Sequence, residues 1–425
     1  MNKNFIALCL VILASGCTTQ QTDIKSFINS CNENLTQECI NWVASINESL
    51  DINKQVKITK FNGVWLPGIN AVRTAVRLIP ELKKDGINAV AFGPDIVTRG
   101  VDEPVIAGRK LFGFYVRVFE NAGFNVLFVP NNMHWGNNNI HLKNLTKIII
   151  DCARDAEKLN VEFFAVLNEV DQNLDNISET SKWLQDVLPL IRQEYSGLVC
   201  VQPSQNGFSK GLNYSGYDCI SAFLPLLVPD EERNKREISK FLNLSENAKK
   251  DFPSIKFVFF SDVGTYAGGN WAETTLIEQQ ARSLSHGFSE YSSEAEQKKA
   301  FALFFDRAYP YIDGCFFSIE KGFSFINKSA EQEIKKGFNN SKIPARQNDS
   351  FWSMPGLIEL AEKALINESE KKLIFDLETF TPGYAGLDHL PSPDHPGPFN
   401  CSSVKECMDL FRSRPDEYWL QSSLS

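Results

Sequence analysis

The sequence predicts an α/β protein built as a (β/α)8 barrel with irregular N- and C-terminal extensions. From residue 56 onward, short apolar runs rich in β-branched and aromatic residues alternate with stretches whose apolar residues recur at helical spacing. Such alternation is typical of a parallel sheet with helical crossovers. Eight strand–helix units fit between residues 56 and 366, which favours a closed barrel. An open doubly wound sheet is the alternative, but no G-x-G-x-x-G follows the first predicted strand.

The first four units are predicted to be complete by residue 190. Their strands are predicted at residues 56–65, 89–92, 126–129 and 163–167. The helices that we identify between them lie at residues 71–85, 111–122 and 145–159. Gly86-Ile87-Asn88 ends the first of these helices, because glycine and asparagine are frequent helix-stop residues.

The second half follows the same order. Its strands are predicted at residues 198–202, 219–223, 257–261 and 314–319. Its helices are predicted at residues 238–250, 294–309 and 357–365. The barrel domain is therefore expected to span residues 56–366.

The first residues predict a lipoprotein signal peptide. Lys3 is followed by ten apolar residues, 5–14, and the sequence Leu13-Ala14-Ser15-Gly16-Cys17 ends the segment. A bilayer-spanning helix needs about 20 apolar residues, so this segment is too short to be one. We expect removal of residues 1–16, lipid on Cys17, and a location in the bacterial cell envelope, at the outer membrane or its periplasmic face. An ordinary cleaved signal with an incidental cysteine is the alternative.

Two further segments flank the predicted barrel. Residues 17–55 are expected to form a lipidated tether and an N-terminal extension without regular structure, and residues 367–425 a C-terminal extension packed on or near the barrel. Residues 382–398 are rich in proline and should form a loop.

The cysteines fit an exported protein, in which disulfides persist. Cys31 and Cys39 flank a short polar stretch near the start, and Cys401 and Cys407 flank another near the end, so each pair predicts a disulfide. Four other cysteines lie in apolar contexts that suit either a buried thiol or a disulfide: Cys152, Cys200, Cys219 and Cys315.

Composition narrows the class of partner. The formal net charge is −9 and no basic stripe is present, which argues against a nucleic-acid partner. Neither C-x-x-C nor clustered histidines occur at zinc-ligand spacing, so we predict no metal and no cofactor. After the signal, no apolar run reaches 18 residues, which leaves the lipid as the expected membrane contact. A neutral ligand is favoured.

Polar and aromatic residues follow the predicted strands, where barrel enzymes place their active sites. Asparagines and aromatic rings around a few carboxylates suit a carbohydrate, whose hydroxyls need hydrogen bonds and whose C–H faces stack on rings. The alternative for each tryptophan is a core position, and for His134 a hydrogen-bonded loop. The candidates at or after strand ends are Asn62, Trp65, Asp95, Asn131, His134, Trp135, Asn168, Glu169, Gln202, Asp262 and Glu320, with Trp271 in a Gly-rich loop.

The strongest candidate is Asn168-Glu169, which closes the apolar strand at residues 163–167. Asn-Glu occurs four times in the chain, but only this copy follows an apolar strand. Partial desolvation there raises the pKa of a glutamate and suits it to protonate a leaving oxygen. A solvated loop carboxylate is the alternative.

A second carboxylate follows the strand at residues 257–261: Asp262, 93 residues after Glu169. With these two carboxylates, residues 56–365 resemble the TIM-barrel glycoside hydrolases of clan A, especially β-mannanase-like members. The resemblance implies that Glu169 is the general acid/base, that Asn168 hydrogen-bonds the sugar 2-hydroxyl, and that Asp262 occupies the nucleophile position.

The chain also departs from that family. Ser261-Asp262-Val263-Gly264 stands where the family pattern resembles Thr-Glu-Ile/Phe-Gly, so the nucleophile arm is one methylene shorter. Phe223-Leu224 replaces a frequent tyrosine, and residues 315–318 lack the usual tryptophan. We therefore predict a retaining-type glycoside hydrolase acting on a β-linked oligo- or polysaccharide, in which Glu320 supports Asp262. A catalytically impaired carbohydrate-binding protein is the alternative, and a structural envelope lipoprotein is least favoured.

Overall fold

The computed structural model describes residues 18–49, 60–97, 105–132, 142–172, 176–224, 226–227, 231–261, 263–264, 294–319, 325–338 and 356–366. Within these ranges, eight parallel strands form a closed barrel, which confirms the predicted (β/α)8 architecture. In barrel order the strands are β1 (Phe61–Trp65), β2 (Ala89–Phe92), β5 (Asn125–Phe128), β7 (Phe163–Ala165), β8 (Leu198–Val201), β9 (Cys219–Phe223), β11 (Lys256–Ser261) and β13 (Gly314–Ser318).

Five shorter strands form two small sheets outside the barrel. One sheet has three strands, β3 (Asp95–Val97), β4 (Val105–Ala107) and β6 (Asn131–Asn132). The other has two, β10 (Leu226–Leu227) and β12 (Val263–Gly264). β3, β6, β10 and β12 each begin within three residues of the end of a barrel strand, and β4 pairs with β3, so both sheets lie beyond the carboxyl ends of the barrel.

Helices cover the outside of the barrel. They are α1 (Thr18–Glu33), α2 (Gln37–Ser49), α3 (Gly68–Arg77), α4 (Ile79–Lys84), α5 (Arg109–Ala122), α6 (Leu142–Lys158), α7 (Ile177–Glu194), α8 (Gln205–Ser209), α9 (Glu231–Asp251), α10 (Glu294–Arg307), α11 (Glu331–Gly337) and α12 (Leu357–Leu365). None of those in the described ranges is both long and apolar enough to cross a membrane.

The single helix predicted at residues 71–85 is wrong, because the structure has two helices that meet at Leu78. Pro80 lies in the first turn of α4. Proline has no N–H to continue the ladder of a preceding helix, and its ring clashes with the carbonyl four residues before it. The proline therefore starts a new helix.

The prediction of an irregular N-terminal extension is also wrong over residues 18–49, because these residues form the helical hairpin α1–α2. The predicted disulfide between Cys31 and Cys39 is present, with Cα atoms 5.7 Å apart. Ile28 and Val43 are buried beside it, and the Phe27 and Trp42 rings meet edge to face at 5.3 Å. These few apolar residues recur at helical spacing within a mostly polar sequence. They stabilise the hairpin together with the disulfide, which cross-links its two helices.

The hairpin is attached to the barrel through α12. The Asn32 side chain donates to the Gly356 carbonyl at 2.9 Å. On the same helix, Glu362 accepts from Tyr115 Oη at 2.7 Å and from Arg73 Nε at 2.6 Å. Helix α12 therefore connects the N-terminal hairpin to α3 and α5.

A column of aromatic side chains fills the barrel interior. Ring centroids are separated by 4.5 Å between Phe163 and Phe61, 6.4 Å between Phe61 and Phe316, 5.0 Å between Phe316 and Phe260, and 5.3 Å between Phe260 and Trp65. We call these five residues the aromatic column. Small residues of the barrel strands leave room for it; they include Gly63, Ala89, Ala91 and Ala165.

A disulfide that the sequence left open lies in the same interior. Cys200 of β8 and Cys219 of β9 are directly opposite in the parallel ladder, with Cα atoms 4.5 Å apart. The next pair in the register of this ladder is Val201 and Ile220. The disulfide therefore reinforces a short ladder. Cys152 and Cys315 are buried free thiols.

A buried carboxyl follows α4. Asp85 is 1% exposed, and its Oδ1 lies 3.1 Å from Lys335 Nζ, which also pairs with Glu331. Burial raises the pKa of Asp85 to about 6, although the hydrogen bond from Lys335 opposes that shift. The folded chain therefore holds a proton on Asp85 over a pH range in which the unfolded chain has lost it.

The aromatic column predicts the effect of filling position 63. A Cβ atom on Gly63 would lie 2.2 Å from Cδ1 of Phe316, whose ring is held by Phe61 and Phe260. Gly63→Ala should lower the free energy of unfolding by about 1–3 kcal/mol, measured by urea denaturation. Gly113→Ala in α5 is the control: its nearest neighbour is Leu159 at 3.7 Å, and a gain of about 0.5–1 kcal/mol is expected. Equal effects of the two variants would contradict this account.

Asp85 predicts a pH dependence of stability. Between the unfolded pKa of 3.8 and the folded value of about 6, the folded state binds one more proton. The free energy of unfolding should therefore fall by about 3 kcal/mol as pH rises through this window. Urea unfolding at several pH values should show that Asp85→Asn lacks this decrease. Asp186→Asn, at an exposed position of α7, should follow the wild type. Parallel curves for wild type and Asp85→Asn would refute the assignment.

The disulfide between β8 and β9 is expected to increase the free energy of unfolding. It closes a loop with a sequence separation of 19. Replacing both Cys200 and Cys219 with alanine should lower the free energy of unfolding by about 3 kcal/mol. Cys152→Ala is the control, because it removes a buried thiol without removing a cross-link. Mass spectrometry of an unreduced digest should find peptides joined through Cys200 and Cys219; separate peptides would contradict the pairing.

Candidate functional site

Four of the predicted site residues meet at the carboxyl ends of adjacent barrel strands. Gln202 Nε2 donates to Asn168 Oδ1 at 2.8 Å, Asn168 Nδ2 donates to Asn131 Oδ1 at 3.1 Å, and Asn131 Nδ2 donates to Asp95 Oδ1 at 3.3 Å. We call these four residues the amide chain. They come from the second, third, fourth and fifth strand–helix units. The sequence predicted each residue, but not the hydrogen bonds that join them.

Backbone pairing beyond the barrel positions this chain. Strands β3 and β6 are parallel neighbours, and Asp95 is paired directly with Asn131. Opposite residues of paired strands point to the same face, so the two side chains meet. The Asn168 N–H donates to the carbonyl of Pro130 at 2.9 Å, which brings the fourth unit beside the third.

Glu169 lies in a tight turn directly after the amide chain. Strand β7 ends at Ala165 rather than at residue 167, and Glu169 has φ of +44°, in the left-handed region that few non-glycine residues adopt. Its side chain is partly buried. Such a backbone persists only where its surroundings hold it.

Two contacts hold that turn, and the sequence did not reveal either of them. The N–H of Val170 donates to the Gln202 carbonyl at 3.2 Å. Asp171, 8% exposed, accepts from the Ser204 N–H at 2.7 Å and from its hydroxyl at 2.5 Å. Asp171 follows two residues after Glu169, but its partner comes from the next unit, which no local pattern identifies.

The two candidates on β1, Trp65 and Asn62, are not members of the amide chain. Trp65 is 7% exposed and is the uppermost member of the aromatic column, where its ring meets Phe260 edge to face. The prediction that Asn62 lies at the end of the first strand is wrong, because it is the second residue of β1. It accepts a hydrogen bond from the Tyr309 hydroxyl at 2.5 Å, because the strand continues to Trp65 and its second residue faces the surrounding helical layer.

The remaining predicted residues lie outside the described ranges. They are Asp262, His134, Trp135, Trp271 and Glu320 at the candidate site, Cys17 at the predicted lipidation position, and Cys401 and Cys407 in the predicted C-terminal disulfide. In the part of the chain that is described, no three His, Cys, Asp or Glu side chains are grouped to hold a metal ion.

The end of the amide chain carries an unpartnered acceptor. Gln202 is 1% exposed, and its Oε1 accepts no hydrogen bond, although its Nε2 donates to Asn168. Buried carbonyl groups in proteins are nearly always paired. This oxygen is therefore a feature of the site that calls for a physical explanation.

Comparisons with known proteins identify the fold. No protein-family model matches the chain, and no curated protein matches it in sequence. A GH113 β-1,4-mannanase complex superimposes with a TM-score of 0.50 at 13% identity, covering 67% of this chain and 100% of that one. A GH113 β-mannanase from Alicyclobacillus acidocaldarius in complex with ManMIm gives 0.50 at 12% identity, covering 67% and 98%. The chain therefore shares the (β/α)8 barrel fold of these mannanases.

Proposed function

We propose that this chain is a retaining-type glycoside hydrolase acting on a β-linked oligo- or polysaccharide, with Glu169 as general acid/base and Asp262 at the nucleophile position. The observation that carries the proposal is the place of Asn168-Glu169 at the carboxyl end of the fourth strand of a closed parallel barrel. This is the end at which barrel enzymes position their catalytic groups.

The surroundings of Glu169 suit proton transfer to a glycosidic oxygen. The residue is partly buried, and its turn is fixed by the contacts of Val170 and Asp171 with the fifth unit. A fixed carboxyl group close to the leaving oxygen lowers the barrier because it needs no reorientation in the transition state.

The assignment of Asp262 rests on the strand that precedes it. Val258 and Phe260 of β11 belong to the cluster inside the barrel, and Asp262 follows Phe260 in the sequence at the two-residue spacing of that inward face. Retaining enzymes hold their two carboxyl groups about 5–5.5 Å apart, and inverting ones about 6.5–9.5 Å apart. An aspartate is shorter than a glutamate by one C–C bond, about 1.5 Å, so the stereochemical outcome is the sensitive test of its role.

The other features of the site suit a neutral carbohydrate. The amide chain offers carboxamides rather than cations, and GH113 mannanases share the fold, so β-1,4-mannan is the first substrate to test. Trp65 contributes an aromatic surface beneath the strand ends.

We also propose that the protein is anchored in the bacterial cell envelope through a lipid on Cys17. Disulfides at Cys31–Cys39 and Cys200–Cys219 support an oxidising compartment. Helix α1 begins at Thr18 and is attached to the barrel through α12. A lipid on Cys17 would therefore hold the barrel close to the bilayer through a helical hairpin instead of a long tether.

The hydrolase proposal predicts the effect of removing each carboxyl group. Glu169→Gln and Asp262→Asn should each lower kcat by about 10²–10⁴-fold on β-1,4-mannan, β-1,4-glucan or an aryl β-glycoside. Glu162→Gln is the control: it lies at the amino end of β7 and is exposed, so activity should be unchanged. Reducing-sugar release measures the activity, and proton NMR of the first product anomer should show retention.

Two outcomes would contradict the proposal. If the wild type releases no more sugar than either variant but still binds a trisaccharide, the chain is a carbohydrate-binding protein. Inversion of the anomeric centre would remove Asp262 from the nucleophile role while leaving Glu169 as the acid.

A further inference from the structure

The amide chain has a defined direction of hydrogen bonding. A carboxylate carries no proton to donate, so the group of Asn131 that faces Asp95 must be its NH2. Asn131 then presents its oxygen to Asn168, which must in turn donate with its own NH2. By the same logic Gln202 donates to Asn168, and its Oε1 is the atom left over. One carboxylate thus sets the orientation of three carboxamides.

The reverse orientation is excluded while Asp95 is a carboxylate. Rotating the three carboxamides by 180° would place Asn131 Oδ1 against Asp95 Oδ1, where two acceptors would meet without a proton. An asparagine at position 95 would remove this exclusion, since a carboxamide either donates or accepts.

We propose that Asp95 is a positioning residue that fixes the polarity of the amide chain and so makes Gln202 Oε1 an acceptor reserved for a ligand that donates a hydrogen bond. The ligand class follows from the acceptor: a neutral hydroxyl donor satisfies a buried carbonyl, whereas a carboxylate or phosphate oxygen would repel it. That this donor is a sugar hydroxyl rests on the proposed function; the polarity of the chain does not.

The burial of Gln202 supports this role. Gln202 is 1% exposed, and its Oε1 has lost its hydrogen bonds to water without gaining a partner in the protein. Burial of an unpaired carbonyl costs free energy. A ligand hydroxyl that supplies the missing donor recovers that cost on binding. The contact should therefore contribute more to affinity than a hydrogen bond formed at an exposed site.

The experiment compares two buried aspartates, one before and one after strand β2. Asp95→Asn preserves shape but removes the enforced polarity, and Asp85→Asn is the matched control, because Asp85 is also buried but pairs with Lys335 instead of the amide chain. Both are made in a Glu169→Gln background, and β-1,4-mannotriose and cellotriose are titrated by calorimetry. Asp95→Asn should weaken binding of the better trisaccharide by about tenfold or more, and Asp85→Asn by less than about threefold.

A second measurement tests the polarity without a ligand. In protein labelled with ¹⁵N in asparagine and glutamine side chains, Asp95→Asn should shift the carboxamide NMR signals of Asn131, Asn168 and Gln202, whereas Asp85→Asn should leave all three in place. Thermal melting checks that both variants fold. A shift confined to Asn131, or equal affinities in the two variants, would overturn the proposal.

The two measurements also separate this inference from the proposed function. If all three signals shift but the parent chain binds neither trisaccharide, the polarity of the chain stands, and both the carbohydrate assignment and the proposed function fail. If a trisaccharide binds and Asp95→Asn affects neither its affinity nor the distant signals, the proposed function stands and the role of Asp95 is wrong.

Discussion

Packing of the aromatic column is the constraint on which the barrel and its site depend. Five rings from β1, β7, β11 and β13 occupy the interior, and small side chains of the barrel strands fill space beside them. Gly63 lies against the Phe316 ring, where no Cβ fits. The inward side chains of β2 are those of Ala89 and Ala91. Because barrel interiors are filled rather than hollow, the fit between these rings and the small residues beside them constrains how the sheet closes. Closure of the barrel in turn determines where the carboxyl ends of the strands, and the site residues that follow them, lie.

The carboxyl end of the barrel has two different halves. Units two to five contribute the amide chain, whose members are joined by side-chain hydrogen bonds from Gln202 to Asp95. Strands β1, β9 and β11 contribute Trp65, Phe223 and Phe260, which pack with the barrel interior. Carbohydrates have hydroxyl edges and C–H faces, so a surface with one hydrogen-bonding half and one aromatic half can bind both. This arrangement supports the proposed ligand class independently of the catalytic carboxylates.

The sequence predicted the barrel well because strands buried on both faces read as short apolar runs, and each predicted strand lies within a few residues of its observed place. It failed where the determinant is not periodic: Pro80 divides one predicted helix, and a cross-linked hairpin holds a polar extension in helical form. The site residues were predicted singly from their places after strands. Their contacts were not, because partners such as Asn131 and Asn168, or Cys200 and Cys219, are brought together by register between strands, which local patterns do not encode.

The placement of the single charge in the amide chain has a physical rationale. In the proposed role of Gln202, a carboxamide accepts the ligand's hydrogen bond without being ionised, so the empty site leaves only a neutral carbonyl unpaired. A carboxylate buried there would cost far more in the empty site, because desolvation penalises an uncompensated charge more than a dipole. Neutral carboxamides alone, however, have no fixed direction. With Asp95 at one end of the amide chain and Gln202 at the other, a carboxylate sets the direction of the hydrogen bonds, and the proposed ligand would meet a neutral acceptor.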